Sequence, residues 1–168
     1  VLSNVNLLID RSSKIAFVGQ NGQGKTTLAK MIVNEIPYDG KLKLGHNVQI
    51  GYFAQNQAEY LDGNKTVLQT MEDASTDGNR VKVRDMLGAF LFGGDDVDKK
   101  VKVLSGGERN RLALCKMLLS PFNVLVMDEP TNHLDIASKN VLKQALQSFE
   151  GTLIIVSHDR DFLQGLTK

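Results

Sequence analysis

Residues 19–26 read Gly19-Gln20-Asn21-Gly22-Gln23-Gly24-Lys25-Thr26 and fit the pattern G-x-x-x-x-G-K-[ST] of a phosphate-binding loop. An apolar run at 15–18 precedes this stretch, and a helical pattern with Leu28 and Ile32 four positions apart follows it. This is the strand–loop–helix setting that the motif requires. The glycines let backbone N–H groups converge on one anion, and the helix N-terminus adds donors and partial positive charge. The stretch therefore predicts a P-loop fold that binds the phosphates of a nucleotide.

Single residues of this loop have separate predicted roles. Lys25 can reach the β- and γ-phosphates, and the Thr26 hydroxyl can bind Mg²⁺. The alternative, a glycine-rich turn without a ligand, leaves the agreement of residue types, spacing and context unexplained. The residues of this stretch predicted to bind the nucleotide are Gly19, Asn21, Gly22, Gly24, Lys25, Thr26 and Thr27.

The composition is that of one globular domain. The chain has 168 residues, of which 42% are hydrophobic and 23% charged, and its net charge of +1 gives no general nucleic-acid signal. No apolar run approaches the ~20 residues that cross a bilayer, so we expect no direct membrane insertion. Cys115 is the only cysteine, which excludes an internal disulfide, favours a cytoplasmic location and suits a small core residue. Because the sequence begins with Val1, we expect a fragment of a longer protein.

Three apolar runs of the chain each lead into polar residues: 15–18, 124–127 and 153–156. The phosphate loop follows the first run, Asp128 and Glu129 follow the second, and His158 is the second residue after the third. Short runs of this kind are typical of buried parallel strands, and ligands gather at the carboxyl ends of such strands. The sequence therefore predicts an α/β fold with a mainly parallel sheet, flanking helices and one shared site.

The segment between the first two runs has a different pattern. Residues 41–44 and 48–52 alternate polar and apolar side chains, which predicts a small antiparallel β layer beside the main sheet. Helical spacing follows, for example at Val83, Met86 and Leu87.

The domain boundaries follow from these patterns. Residues 1–168 are predicted to form one domain, with a core at 1–56 and 104–168 and a helical subdomain at 57–103. The lysines at 99, 100 and 102 are interpreted as a solvated face of this subdomain, with an RNA contact as the alternative.

Asp128 and Glu129 are adjacent carboxylates at the end of a buried strand, where they need a positive partner. Mg²⁺·ATP supplies that charge: Asp128 would hold Mg²⁺ and Glu129 would orient the attacking water. A solvated loop with helix-capping carboxylates is the alternative. Gln55 could bind Mg²⁺ or the water through its amide, and His158 could donate to the γ-phosphate, although either could be an ordinary polar residue.

Ser105-Gly106-Gly107 stands at the start of a helical run that continues to Leu119. A serine and two glycines at a helix N-terminus can form a second anion site from backbone donors and a hydroxyl. The alternative is an ordinary N-cap with Glu108 as its capping-box partner, and both can hold together.

These motifs stand in order over nearly the whole chain, which resembles an ABC ATPase nucleotide-binding domain. The resemblance implies that two such domains stack head to tail and that each ATP lies between one phosphate loop and the other domain's signature segment, here 104–108. Ser105 and Gly107 would then contact the γ-phosphate bound by the partner domain, and Asp135 would lie in the loop that couples the two sites.

The stretch Asp128-Glu129-Pro130-Thr131-Asn132-His133-Leu134-Asp135 looks like the ABC-F branch, the tandem ATPases that act on ribosomes. The resemblance is strongest to the second, C-terminal ATPase domain of such a protein. It implies a strand upstream of Val1 with the adenine-stacking aromatic, a second ABC domain and a linker, none of which this sequence contains.

The sequence therefore predicts a Mg²⁺-dependent ATPase whose nucleotide state switches its grip on the ribosome. The energising ATP-binding subunit of a transporter is the alternative. A genome-maintenance ATPase fits less well, because the chain has one cysteine and no heptad run. A module that binds nucleotide without turnover is disfavoured by the presence of Glu129.

Overall fold

The computed structural model describes residues 2–20 and 24–167. In these residues the chain forms, in order, β1 (Lys14–Phe17), α1 (Lys25–Ile32), β2 (Ile50–Phe53), α2 (Val67–Ala74), α3 (Val83–Ala89), α4 (Gly106–Leu119), β3 (Val124–Asp128), α5 (Ile136–Ser148), β4 (Thr152–Val156) and α6 (Arg160–Leu163). Four short 3₁₀ turns lie at Gln57–Tyr60, Arg80–Lys82, Gly94–Asp98 and Val101–Val103. Within the described ranges, no helix has the length and apolar character that crossing a membrane would need.

The four strands form one parallel sheet with the order β1-β4-β3-β2. The three strands predicted from continuous apolar runs, β1, β3 and β4, are confirmed, and they lie next to one another. All five residues of β4 are buried, as expected for a strand that is covered on both faces. Beyond the ladder, the Ser12 amide donates to Thr152 Oγ1 at 3.1 Å, across 140 positions of sequence.

The prediction of a small antiparallel β layer is wrong. Residues 41–44 have no regular secondary structure, and β2 pairs in parallel with β3, with Tyr52 opposite Val126. The alternation in β2 does not mark a solvent-facing side. It arises because Gly51 lies against the ring of Phe122, which leaves no room for a Cβ.

A cluster of buried apolar residues joins α1 to the sheet. Ala29 of α1 packs with Val126, Ile154 and Val156 of the two central strands. This packing fixes α1 along the sheet, so that its first residues lie at the carboxyl ends of the strands.

The contacts divide the chain into two units, residues 1–55, 122–131 and 148–168, and residues 56–121 and 132–147. The second unit begins one residue before the predicted helical subdomain, but it also includes residues 104–121 and 132–147, which were predicted to belong to the core. The physical reason is packing, because α4 contacts both α2 and α3.

The second unit is built on α4. The predicted helical character of its middle stretch is confirmed by α2 and α3. Cys115 of α4 is fully buried, and burial raises the pKa of its thiol to about 12, so it behaves as a core residue. Other buried members of this core are Met71, Val83, Leu87, Leu112 and Leu114.

Candidate active site

The loop after β1 enters α1 through a left-handed glycine. Gly24 is the N-cap of α1 with φ +81°, a conformation that is readily available only to glycine. As a glycine, this N-cap has no side chain that could accept hydrogen bonds from the first N–H groups of α1. The predicted ligands Asn21 and Gly22 lie outside the described residues, and Thr27 is half-buried in the first turn of α1.

Lys25 directs its ammonium group back toward the loop. Its Nζ donates to the Gly19 carbonyl oxygen at 2.5 Å and lies 3.9 Å from Glu129 Oε1. The Lys25 and Glu129 side chains are only 10% and 7% exposed, so water screens this pair weakly. The arrangement brings one cation next to the end of β3.

The side chains of Thr26 and Gln55 both contact the carboxylate of Asp128. The Thr26 hydroxyl donates to Asp128 Oδ1 at 3.2 Å, and the Gln55 side chain hydrogen-bonds the same carboxylate. Asp128 is 1% exposed, and burial, with the nearby Glu129 charge, raises the pKa of its carboxyl, whereas these two hydrogen bonds oppose the shift.

The same three residues fit a magnesium ion. The buried Asp128 Oδ2 has no hydrogen-bond partner in the described part of the chain, so it can accept a cation. A hydroxyl, an amide and one carboxylate are the hard oxygen donors that Mg²⁺ takes alongside substrate phosphates. Residues 2–20 and 24–167 contain no group of three His, Cys, Asp or Glu side chains that could hold a metal by themselves.

Glu129 and His158 form a pair beside this carboxylate. His158 Nδ1 lies 3.0 Å from Glu129 Oε1, and the Glu129 amide donates to the Val156 carbonyl at 2.8 Å. Glu129 is 6% exposed and has φ +48°, a left-handed conformation that costs a non-glycine residue free energy. Among the described residues, Glu129 Oε2 has no partner, which leaves one buried carboxylate oxygen able to accept a hydrogen bond.

The predicted second anion site lies in the other unit. Ser105 is the N-cap of α4: its Oγ accepts from the Glu108 amide at 3.1 Å, and Glu108 Oε1 accepts from the Ser105 amide at 3.1 Å. The predicted capping box is therefore confirmed. Gly106 and Gly107 form the first turn of this helix.

The family of this chain is identified by comparing its sequence with those of known protein families. Residues 2–132 match the family model described as ABC transporter, which covers well over half of the chain. The chain belongs to the ABC transporter family. It is an ATP-binding ABC domain, and its parallel sheet with flanking helices is the fold expected from the sequence.

Relatives of this ABC domain include ABC-F proteins, in agreement with the resemblance seen in the sequence. The chain is 49% identical to ABC transporter F family member 5 of Arabidopsis thaliana over 98% of its length, and 47% identical to the putative ATP-binding protein YdiF of Bacillus subtilis over 97%. It spans about a quarter of either relative, 24% and 25%.

Solved structures show the same fold. An archaeal ribosome recycling factor, aABCE1, in complex with the ribosomal stalk protein aP1, matches 95% of the ABC domain with a TM-score of 0.74 and 27% identity; the domain covers 31% of that chain. A dimeric post-hydrolysis state of the ATP-binding cassette MJ0796, bound to ADP and Pi, matches 96% with a TM-score of 0.76; the domain covers 81% of that chain. The second match, at 23% identity, shows the fold alone.

The sequence did not predict a role for Tyr52, which lies near the site of this ABC domain. The Tyr52 hydroxyl is buried without a partner among the described residues, and its pKa is raised to about 12 by burial and by the charges of Asp128 and Glu35. The only sequence signal was a tyrosine within an otherwise apolar strand, which does not reveal the carboxylate nearby.

We predict that Asp128→Asn makes the nucleotide-free ABC domain more stable and weakens its affinity for Mg²⁺·ATP. Because the pKa of Asp128 is raised above 3.8, protonated Asp128 contributes stability that is complete below pH 3.8 and lost as the pH rises through the folded-state pKa. At pH 7 the neutral amide avoids this loss, so the free energy of unfolding should rise by about 1 kcal/mol. Denaturant titration at pH 7 and pH 3.5 checks this, with the exposed Asp39→Asn as the matched control.

The expected gain is present at pH 7 and absent at pH 3.5. A decrease in stability at pH 7 would contradict the assignment of Asp128 as a carboxylate held at a cost for ligand binding.

Proposed function

We propose that this domain binds and hydrolyses Mg²⁺·ATP as one half of a head-to-tail pair of ABC domains in a cytoplasmic ABC-F-type protein, and that its nucleotide state switches the protein's grip on the ribosome. The observation that carries the enzymatic part is the meeting of Lys25, Asp128, Glu129 and His158 at one sheet edge. There, two buried carboxylate oxygens, Asp128 Oδ2 and Glu129 Oε2, have no partner in the described part of the chain.

Phosphate binding falls to the loop and its lysine. Lys25 Nζ would exchange the Gly19 carbonyl for phosphate oxygens, and the N–H groups at the start of α1 would donate to the same anion. Thr26, Gln55 and Asp128 would hold Mg²⁺. When bound, Mg²⁺ neutralises charge on the β- and γ-phosphate oxygens.

Hydrolysis needs a group that orients water and accepts its proton. Glu129 Oε2 is buried and can accept a hydrogen bond from the attacking water, while His158 Nδ1 holds the other carboxylate oxygen in place. The remaining ring nitrogen of His158, Nε2, would donate to the γ-phosphate in the imidazolium form, in which both ring nitrogens carry a proton. Glu129 thus acts as the base and His158 as the residue that orients it.

In the proposed pair, each ABC domain would complete the nucleotide site of the other with its signature residues. Ser105, Gly106 and Gly107 would contact the γ-phosphate of the nucleotide bound by the partner domain, at the N-terminus of α4. Support comes from the length of the ABC-F relative, of which this domain covers 24%, so that a second ABC domain can lie in the same protein.

The ribosomal part of the proposal has separate support. The ABC-F relatives align along nearly the entire chain, and the structural neighbour aABCE1 is described as a ribosome recycling factor. The energising subunit of a transporter is the second candidate, favoured by the description of the family itself.

Co-sedimentation with ribosomes tests the proposal. The sample is the full-length protein with Glu129→Gln and the matching change in its other ABC domain, pelleted with and without ATP. Pelleting that requires ATP is expected, because the substitution retains the bound nucleotide. The control adds Lys25→Ala, which should abolish the ATP dependence. No pelleting under any nucleotide condition, with ATP binding intact, would overturn the ribosomal role and favour a membrane partner.

A further inference from the structure

The segment 132–138 is held by the first two turns of α4. The Asn110 side chain, itself buried, donates from Nδ2 to the Asn132 carbonyl at 2.8 Å. Gly107 faces the next carbonyl, because a Cβ at this position would lie 2.9 Å from His133 O. Gly107 and Asn110 are three positions apart and therefore share one face of the helix.

Ser138 is the centre of a second set of contacts between the same elements. Arg111 Nη1 donates to Ser138 Oγ at 3.1 Å, and the Ser138 amide donates to Asp135 Oδ1 at 2.8 Å. The Ser138 hydroxyl also hydrogen-bonds the Asp135 carboxylate, and together these bonds lower the pKa of Asp135. Ser138 is 3% exposed, so its hydroxyl accepts from one residue and donates to the other, away from water.

The guanidinium group of Arg111 is also held in place by an aromatic ring. Its guanidinium carbon lies 4.6 Å from the centre of the Phe92 ring, which is itself buried. Its Nε is buried and has no partner among the residues the structure describes. A planar guanidinium held by stacking presents its Nη1 donor to Ser138 in one direction only.

We propose that Ser138 is a positioning residue for ATP hydrolysis, because its buried hydroxyl joins Arg111 of α4 to the Asp135 carboxylate. The signature residues Ser105–Gly107 and the segment 132–135 then move as one body. Glu129, the proposed base, lies four positions before His133 in the chain. A displacement of α4 that moves residues 132–135 would therefore also move the backbone at Glu129. The inference rests on the proposed function, in which Ser105–Gly107 contact the partner's nucleotide.

A purely structural role makes a different prediction. If Ser138 only stabilises the start of α5, its loss lowers the free energy of unfolding and leaves turnover by the folded protein unchanged. A positioning role leaves substrate binding nearly unchanged and slows the step that follows it. The ratio between the effects on kcat and on KM therefore separates the two roles.

The test compares ATP hydrolysis by the full-length protein with Ser138→Ala, Ser138→Thr and the control Ser75→Ala. Ser75 also carries a hydrogen-bonded hydroxyl, which donates to the Glu72 carbonyl at 2.6 Å, at the end of α2 rather than to α4 or residues 132–138. We expect Ser138→Ala to lower kcat roughly tenfold with KM within about twofold, the scale of one hydrogen bond to a charged group. Threonine should restore most of kcat, and Ser75→Ala should leave it unchanged.

A double-mutant cycle keeps the test decisive if threonine does not fit at this buried position. Arg111→Lys combined with Ser138→Ala should be no slower than the slower single variant, because both changes break one connection. Independent effects that multiply to roughly a hundredfold would overturn the inference, as would an unchanged kcat for Ser138→Ala. If the unaltered full-length protein fails to hydrolyse ATP, the proposed function fails, and this inference fails with it.

Discussion

Glu129→Gln is expected to slow ATP hydrolysis by roughly 10²–10⁴-fold and to leave ATP binding intact, because it removes a general base and little else. Glutamine has the shape of glutamate and can still contact His158 through one end of its amide. It cannot accept a proton from the attacking water. Single-turnover hydrolysis and calorimetric ATP binding by the full-length protein, with the matching change in its second ABC domain, measure both expectations.

The matched control is Glu150→Gln, which makes the same chemical change at an exposed position of the same unit. It should hydrolyse ATP at the unaltered rate. Normal hydrolysis by the Glu129→Gln protein would show that another group accepts the proton, and the left-handed backbone at Glu129 would then need a different explanation.

Lys25→Ala is expected to weaken Mg²⁺·ATP binding roughly 10²-fold, because it removes the cation that the phosphates would meet in a weakly screened position. The ammonium group already lies against a loop carbonyl, so little reorganisation separates it from a phosphate. The substitution also leaves the buried Glu129 without its cationic neighbour, which adds to the unfavourable charge in the site.

Calorimetry with Mg²⁺·ATP checks this prediction, and Lys41→Ala, an exposed lysine of the same unit, is the control. Thermal unfolding checks that both variants are folded at the temperature of the titration, so that a loss of affinity reports on the site. Unchanged affinity in Lys25→Ala would remove Lys25 from the phosphate site and, with it, the function assigned to the loop.

The part of the fold that the sequence predicted depends on local signals. Buried parallel strands appear as short continuous apolar runs, so β1, β3 and β4 could be located before their pairing was known. Because the carboxyl ends of such strands lie at one edge, Asp128, Glu129 and His158 could be expected to meet. The capping box at Ser105 is a local pattern of four residues and was equally visible.

The parts that were not predicted depend on contacts between distant residues. The alternation in β2 predicts a solvent-facing side, whereas Gly51 lies against the ring of Phe122, about seventy positions away. The grouping of α4 with α2 and α3 also follows from packing that no periodicity encodes. The connection from Arg111 through Ser138 to Asp135 joins three polar residues whose types alone suggest a solvated surface.

The strand order has a consequence for the synthesis of this chain. β1 carries the phosphate loop at its end, yet among the described strands its pairing partner is β4, which comes after β2 and β3 in the sequence. The bond from Ser12 to Thr152 spans 140 positions, so β1 cannot pair with β4 until the residues between them have been translated. Pairing between strands so far apart in the sequence is slow, because the entropy of closing the long loop is lost before the contacts between the strands can stabilise the sheet. The helices of the second unit, between β2 and β3, can form earlier, so the nucleotide pocket is completed last.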